Sequence, residues 1–345
     1  MAFSLMAALG IGILAWALAA LGLEMFVGFI LPLTAFLVFL GGMIWRVTTW
    51  ARVPVPFSIA TTAGQQKSLP WIKPSHIDSP STKIGVAARM GLEVLLFRSL
   101  FRNTAAQTIN DEGGPKLVYW SSKWLWVFSL LFHYCFLMVF IRHFRFFLEP
   151  VPFFITWAED LDGLMQIGVP RLYMSGAILL VAALFLLLRR LRDPKLRYIS
   201  LPADYFPLFL VIGVALSGIM MRYWFKTDIA SVKELIMGLV TLSPSIPEGV
   251  RGSVGGMFYT HIALVSALLI YLPFSKLAHS AGLLFSPTRN MPTNTREVRH
   301  VNPWNPPKKY RTYAEYEDDF RDAMAEAGLP LEKEPAPGLH EETAQ

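Results

Sequence analysis

Cysteine and catalytic motifs are scarce in this chain, and each absence excludes a class of protein. The 345 residues contain one cysteine, Cys135, so a disulfide framework, a thiolate-bound iron–sulfur cluster and a CxxCH-attached haem are all excluded. Walker A loops, dinucleotide-binding GxGxxG turns, HExxH pairs and serine nucleophile elbows are absent as well. Any chemistry in this chain therefore has to come from a non-covalently bound cofactor.

Charge is also scarce, while apolar residues are abundant. Charged residues make up 16% of the chain, hydrophobic residues 54%, and the mean hydropathy is +0.43. A helix crosses the hydrocarbon core of a bilayer with about 20 apolar residues. Six runs approach or exceed that length, at 3–20, 25–45, 119–141, 169–188, 204–224 and 257–278. The sequence therefore predicts an all-α, polytopic membrane bundle of about six transmembrane helices.

The distribution of basic residues predicts how this bundle is oriented. Five basic residues stand close together after the fourth run: Arg189, Arg190, Arg192, Lys195 and Arg197. The segment 47–118 is also basic, whereas the loop 142–168 carries two arginines against four acidic residues. By the positive-inside rule we expect a multi-pass protein of the cytoplasmic (inner) membrane with both termini in the cytoplasm. Anionic lipid headgroups then account for the net charge of +6 without any nucleic acid.

Two pairs of histidines in the apolar runs are the strongest functional feature: His133 with His143, and His261 with His279. Polar groups inside a bilayer are costly and mark functional sites. Within their helices the pairs are about 15 Å and about 27 Å apart. Antiparallel neighbours place the end of one helix beside the start of the other, which pairs His143 with His261 and His133 with His279. Histidine is a common haem ligand, so we predict two non-covalent haems b, one in each leaflet.

The unequal spacing of the two pairs requires helix tilt or tilted haem planes. Two arginines, Arg142 and Arg145, flank His143 at the outer edge of the membrane. Guanidinium groups pair bidentately with carboxylates, so both are candidate partners of a haem propionate. The alternative is that they extend to the headgroups as edge anchors. His76, among polar residues, is expected to be solvated.

We predict four parts along the chain. They are a transmembrane hairpin (1–46), a cytoplasmic loop (47–118), a four-helix dihaem domain (119–285) and a cytoplasmic partner-docking tail (286–345). In the loop, 83–102 mixes apolar residues with arginines and is predicted to be an amphipathic helix in the headgroup layer, not a seventh span.

The tail contains a second predicted helix, 313–327. Thr312 and Glu315 form a capping box before it, and Gly328 ends it. One face would carry Tyr313, Tyr316, Phe320 and Met324, and the other faces Glu317, Asp318, Asp319 and Asp322. A lone amphipathic helix is marginal in water, so we expect it to dock on a soluble partner.

The H-x9-H run followed by an H-x17-H run resembles the respiratory nitrate reductase gamma subunit family of dihaem cytochromes b, over 119–285. In that family the middle two histidines bind one haem and the outer two bind the other. The segments 54–73, 98–104, 302–307 and 313–318 are similar to those of DsrM-type subunits, which belong to the DsrMKJOP membrane complexes of dissimilatory sulfur metabolism. The gamma subunits have five spans, so their loop residues cannot be transferred to this six-span chain.

The resemblance implies an oxidoreductase subunit that does not act alone on a sulfur substrate. It would exchange electrons between the quinone pool, menaquinone or ubiquinone, and a cytoplasmic iron–sulfur subunit resembling heterodisulfide reductase. Further membrane and periplasmic subunits would complete the complex, and quinone would react near the outer haem. The competing interpretations are a haem-free transporter, with the histidines as a proton relay, and a passive membrane anchor. Against a transporter, the sequence lacks paired broken helices and acidic residues deep in a span.

Overall fold

The computed structural model describes residues 1–55, 57–59, 64–111, 113–163, 172–295, 297–302 and 310–333. The chain forms two compact units, Met1–His300 and Val301–Gln345. Within the described residues, six helical segments are long and apolar enough to cross a membrane: Ala2–Ala20, Phe26–Arg52, Lys123–Phe146, Met174–Arg192, Pro202–Tyr223 and Gly252–Phe274. The predicted all-α bundle of six spans is confirmed.

The structure contains thirteen α-helices within the described residues. In order they are α1 (Ala2–Ala20), α2 (Leu31–Arg52), α3 (Lys83–Leu96), α4 (Arg98–Phe101), α5 (Lys123–His143), α6 (Phe153–Asp162), α7 (Met174–Arg192), α8 (Pro194–Ile199), α9 (Pro202–Tyr223), α10 (Ile229–Thr241), α11 (Gly256–Tyr271), α12 (His279–Gly282) and α13 (Tyr313–Glu326). A π-helical turn, Phe26–Ile30, leads into α2.

Helix α11 is the most buried span and lies at the centre of the bundle. It packs against α1, α2 and α9, while α7 packs against both α9 and α5. Its start at Gly256 allows the close approach of α1, because a Cβ there would lie 2.4 Å from the ring of Trp16. Buried side chains of α11 join two apolar cores, one around Tyr259 and Leu235 and the other around Leu210.

The segment between the second and third spans is folded, and we call residues 64–102 the arm. Helix α3 begins after Thr82, whose side-chain oxygen accepts the Gly85 N–H at 3.1 Å. It ends at Phe97, which has a left-handed φ of 48° and separates α3 from α4. The single helix predicted over 83–102 is therefore interrupted at Phe97.

A β-hairpin follows the arm and was not predicted. Strands β1 (Thr104–Asp111) and β2 (Gly114–Ser121) pair antiparallel, from Thr104 opposite Ser121 to Asp111 opposite Gly114. Residues 119–121 belong to β2, so the third span begins at Lys123 and not at 119 as predicted.

The chain beyond the last span packs back on the segment 57–80. The Thr293 N–H donates to the Pro80 carbonyl at 2.6 Å, and the Ile59 N–H donates to the Pro287 carbonyl at 3.3 Å. Met291 and Thr293 are buried. Residues 286–300 thus belong to the first compact unit.

The second unit contains α13 with the predicted capping box. The Thr312 hydroxyl accepts the Glu315 N–H, the Glu315 carboxylate accepts the Thr312 N–H, and Gly328 at φ 68° follows the helix. The chain then returns along α13, because Glu317 accepts the N–H groups of Glu332 and Lys333 at 2.7 and 2.9 Å. Both hydrogen bonds lower the pKa of Glu317, and the bond from the Glu332 N–H has the larger effect.

The tail helix differs from expectation at two positions. Glu317 is enclosed rather than part of an exposed acidic face, and Met324 is buried. The exposed stripe consists of Tyr313, Tyr316 and Phe320, each about half exposed.

Candidate bis-histidine sites

Helix α5 carries the first two histidines, His133 near its middle and His143 at its last residue. Arg142 is the single buried residue of α5, all of which the structure describes. The apolar faces of α5 are therefore available to lipid or to a flat apolar ligand such as a porphyrin. Since α5 rises about 1.5 Å per residue, the two histidines stand about 15 Å apart along it.

The other two histidines, His261 and His279, lie on separate elements. The distance of about 27 Å expected from the sequence assumed that one continuous helix carries both. His261 is in the second turn of α11, which ends at Tyr271. Two 3-10 turns, Leu272–Phe274 and Lys276–Ala278, follow, and Ser275 between them is extended. Pro273 has no N–H to continue the helix. His279 opens the short helix α12, so this break changes the spacing that the sequence implied.

The rings approach each other in two pairs. The centroids of His143 and His261 are 6.3 Å apart with planes at 14°, and those of His133 and His279 are 6.1 Å apart with planes at 80°. An imidazole nitrogen binds a metal at about 2 Å and lies about 1 Å from the centroid of its own ring. Two imidazoles that hold one metal from opposite sides therefore have ring centroids about 6 Å apart. The geometry fits one haem iron per pair.

All four rings have Nδ1 engaged. The Nδ1 atoms of His133, His143 and His279 lie 2.7, 2.6 and 2.9 Å from the carbonyl oxygens of Ser129, Val139 and Lys276. Carbonyl oxygens only accept, so each Nδ1 carries the proton and each Nε2 keeps its lone pair. Metal-ligating histidines are typically oriented in this way.

His261 reaches the same state through a side chain of another helix. Its Nδ1 lies 2.9 Å from the Ser217 hydroxyl of α9, and that hydroxyl lies 3.1 Å from the Val214 carbonyl. The hydroxyl donates to Val214 and accepts from His261. Sequence analysis missed Ser217, although a serine within an apolar run is a visible signal.

The two arginines beside His143 have carboxylate partners in the structure. Arg142 Nε lies 3.0 Å from Asp162, which also accepts the N–H and hydroxyl of Ser175 at 2.7 and 2.6 Å. Arg145 lies 2.8 Å from Glu159. Both carboxylates belong to α6. The sequence analysis considered a haem propionate or the lipid headgroups as partners of these arginines, and did not consider α6. Propionate binding by Arg142 and Arg145 stays a prediction, with these carboxylates as competitors.

The arm meets the bundle beside the His133/His279 pair. The Phe97 ring lies 4.9 Å from that of His133, edge to face. Trp126 and Tyr134 of α5 donate to the Leu96 and Leu95 carbonyls at 2.7 and 2.8 Å. Sequence analysis did not place these residues at a site, because their contacts depend on how the arm folds.

The remaining polar candidates lie elsewhere. His76 is exposed and Cys135 is half-buried. Among the described residues, no group of three or more histidine, cysteine, aspartate or glutamate side chains could hold a bare metal ion. The histidine pairs supply two ligands each.

Comparison with known proteins gives a family match that contains all four histidines, and relatives that match most of the chain. The family described as nitrate reductase gamma subunit matches residues 116–295. The chain is 46% identical over 283 residues to the "Hdr-like menaquinol oxidoreductase cytochrome b-like subunit" of Archaeoglobus fulgidus, covering 81% of this chain and 83% of that protein. It is 44% identical over 286 residues to a protein of the same description from Archaeoglobus profundus, covering 82% and 83%.

Proposed function

Since the chain belongs to the nitrate reductase gamma subunit family, as a DsrM-like member, we propose that it is a quinone-linked, multi-pass membrane cytochrome b with two haems b. The observation that carries this proposal is the presence of two facing imidazole pairs whose four Nδ1 atoms are all engaged. Neither a passive anchor nor a transporter requires this arrangement.

His143 and His261 would hold one haem iron, and His133 and His279 would hold the other. When bound, haem iron supplies reversible one-electron exchange. The acceptors at Nδ1 hold each ring in place and raise the basicity of Nε2, as outer ligand partners do at other metal sites. The pairs lie about 15 Å apart along α5, about half the thickness of a hydrocarbon core. Electrons would thereby move between the two leaflets.

The basic connection after α7 supports a cytoplasmic position for that end of the bundle. The His133/His279 pair then lies in the cytoplasmic leaflet, and we call it the inner pair. The His143/His261 pair lies in the opposite leaflet, and we call it the outer pair. The same argument supports a cytoplasmic position for both termini.

The substrate proposed for the outer side is menaquinone, because both relatives are described as menaquinol oxidoreductase subunits. Its pocket would be bordered by the chain after His143 and the chain before His261. A quinone exchanges two electrons and two protons per molecule, and the outer pair would hold the one-electron carrier beside it. Arg142 and Arg145 lie at this end of α5, where a propionate or quinone oxygen would compete with Asp162 and Glu159.

The partner proposed for the inner side is a cytoplasmic iron–sulfur subunit resembling heterodisulfide reductase. The "Hdr-like" description of the relatives supports this class of partner. The DsrM-like loop and tail segments support a DsrMKJOP-type complex with further membrane and periplasmic subunits, working in dissimilatory sulfur metabolism. The chain would be the quinone-linked part of that oxidoreductase and would not act on the sulfur substrate itself.

The visible spectrum of the purified protein, with extraction of its haem, tests the proposal directly. We expect a b-type reduced band, two haems per chain, and reduction of the haem by a menaquinol analogue. Four single histidine-to-alanine variants provide the control for ligation. A colourless protein that is folded and membrane-inserted would contradict the proposal and leave the transporter and the anchor.

A further inference from the structure

The inner and outer pairs differ in the relative orientation of their rings. The planes of His143 and His261 are nearly parallel, at 14°, whereas those of His133 and His279 are nearly perpendicular, at 80°. Two aromatic rings stand edge to face against His133: Phe97 at 4.9 Å and 88°, and Phe132 at 5.2 Å and 72°. The perpendicular arrangement therefore coincides with aromatic contacts on His133.

Phe97 reaches His133 from an unusual backbone conformation. Its φ of 48° lies in the left-handed region, which glycine normally occupies at the end of a helix. A bulky residue persists in this region only where its surroundings determine its position. The arm is thus shaped to present a phenyl ring at a position where glycine would be the less strained choice.

The chain on both sides of Phe97 is fixed to residues next to the inner pair. Before it, the carbonyls of Leu95 and Leu96 accept hydrogen bonds from Tyr134 and Trp126 of α5, and Tyr134 directly follows His133.

After Phe97, the N–H and hydroxyl of Ser99 donate to Glu93 at 2.9 and 2.8 Å. The other oxygen of Glu93 lies 3.2 Å from Arg289, in the chain that follows His279. The turn at Phe97 is therefore tied to both chain segments that supply the inner histidines.

We propose that Phe97 is a positioning residue that, together with the Ser129 carbonyl at Nδ1, holds the His133 ring across the plane of the His279 ring. This inference rests on the proposed function, because its consequence is read from the inner haem. The protein tunes the electronics of a haem through the ligands that hold it. We expect the angle between the two imidazole planes to be part of that tuning. Perpendicular planes give a more anisotropic paramagnetic resonance signal, with a larger maximum g value, than parallel planes.

The wild-type protein should therefore show two different low-spin ferric signals. The more anisotropic one belongs to the inner haem and is lost in His133→Ala. Phe97→Gly removes the ring while relieving the left-handed backbone. We expect this variant to keep two haems, to lower the maximum g value of the inner signal toward that of the outer signal, and to lower the inner midpoint potential as water gains access. The outer signal should not move.

The chain offers a matched control in Leu242, which has φ 56° at the end of α10. Leu242→Gly makes the same backbone change away from the arm and should leave the inner signal unchanged. If Phe97→Gly fails to assemble, Phe97→Leu retains the bulk without the ring and is expected to show the same fall in g value.

An unchanged inner signal in a Phe97 variant that retains two haems would overturn the inference, as would equal shifts of both haems or the same shift in Leu242→Gly. Absence of haem from the wild-type protein would instead contradict the proposed function.

Discussion

His261 differs from the other three histidines in how its ring is held. The rings of His133, His143 and His279 bond to carbonyls three or four residues earlier, within their own turn of chain. His261 instead depends on the hydroxyl of Ser217, which belongs to α9. The orientation of His261 is therefore a property of helix packing and not of local sequence.

Single alanine substitutions should separate the two pairs. His143→Ala and His261→Ala are each expected to remove the outer haem and spare the inner one, while His133→Ala and His279→Ala do the reverse. Haem extraction would give one haem per chain, and the spectrum would show which one remains. His76→Ala, an exposed histidine of the arm, should keep both. Loss of the same haem in His143→Ala and His133→Ala would show that the pairing is wrong.

Arg142 and Arg145 should contribute unequally to stability. Arg142→Gln leaves the buried Asp162 carboxylate without its cation, which costs about 3–5 kcal/mol. Arg145→Gln breaks a pair whose arginine is 38% exposed, and should cost about 1 kcal/mol or less. Thermal unfolding in detergent would measure both.

The double variant Arg142→Gln/Asp162→Asn should recover most of the loss. A loss that persists there, together with a moved outer midpoint potential, would favour the propionate role over the ion pair.

At the scale of elements, Asp78 connects the two ends of the arm. It contacts Arg98 at 3.2 Å, Ser75 at 3.1 Å, and Arg102. Burial raises the pKa of Asp78, but the hydrogen bonds from Arg102 and Ser75 and the nearby arginine charges hold it below the ordinary 3.8. Asp78 therefore joins the segment before α3 to the segment after it only while the carboxylate is ionised.

The arm should lose stability in acid through Asp78. Because the folded-state pKa is lowered, the contribution is complete above the unfolded value and is lost as pH falls through the folded value, below about pH 4. Asp78→Asn should cost about 1–2 kcal/mol at neutral pH and abolish this acid dependence. Hydrogen exchange of amides 78–102 would measure it. Asp111→Asn, in an exposed pair with Lys116, is the control and should leave the arm unchanged. An acid dependence that survives in Asp78→Asn would exclude this origin.

Part of this architecture could be predicted from the sequence, and part of it could not. The six spans follow from apolar length, and the histidine pairs in contact are those expected from antiparallel order. The hairpin was missed because β1 and β2 are exposed on both faces and lack an apolar alternation. The break after Tyr271 could have been expected from Pro273, but the eighteen-residue spacing suggested one continuous helix. Phe97 could not be placed, because nothing local requires a phenylalanine with positive φ.

At the scale of the whole molecule, α13 presents an exposed aromatic stripe in a unit of its own. Tyr316 and Phe320 contact each other at 4.9 Å, and Glu317 closes the returning chain beneath the helix. Acidic residues around the stripe disfavour contact with anionic lipid. A soluble partner is the better match for this surface.

Deletion of residues 308–345 should leave both haems and membrane insertion intact while the cytoplasmic iron–sulfur partner co-purifies poorly. Tyr316→Ala/Phe320→Ala should reproduce the loss with the tail still present, because the Glu317 contacts remain. Asp322→Asn is the control. Quantitative co-purification would measure binding, and full recovery of the partner with the truncated chain would assign docking to the loop 47–118.

Because of the helix break at Leu272–Ala278, we expect the two pairs to form at different stages of biogenesis. The outer pair comes from α5 and α11, two helices that are complete once each is inserted in the bilayer. The inner pair includes His279, whose place is defined by 3-10 turns and by chain that rests on the segment 57–80. The outer pair should therefore form once α5, α9 and α11 are inserted and packed, whereas the inner pair should also require the chain as far as Thr293.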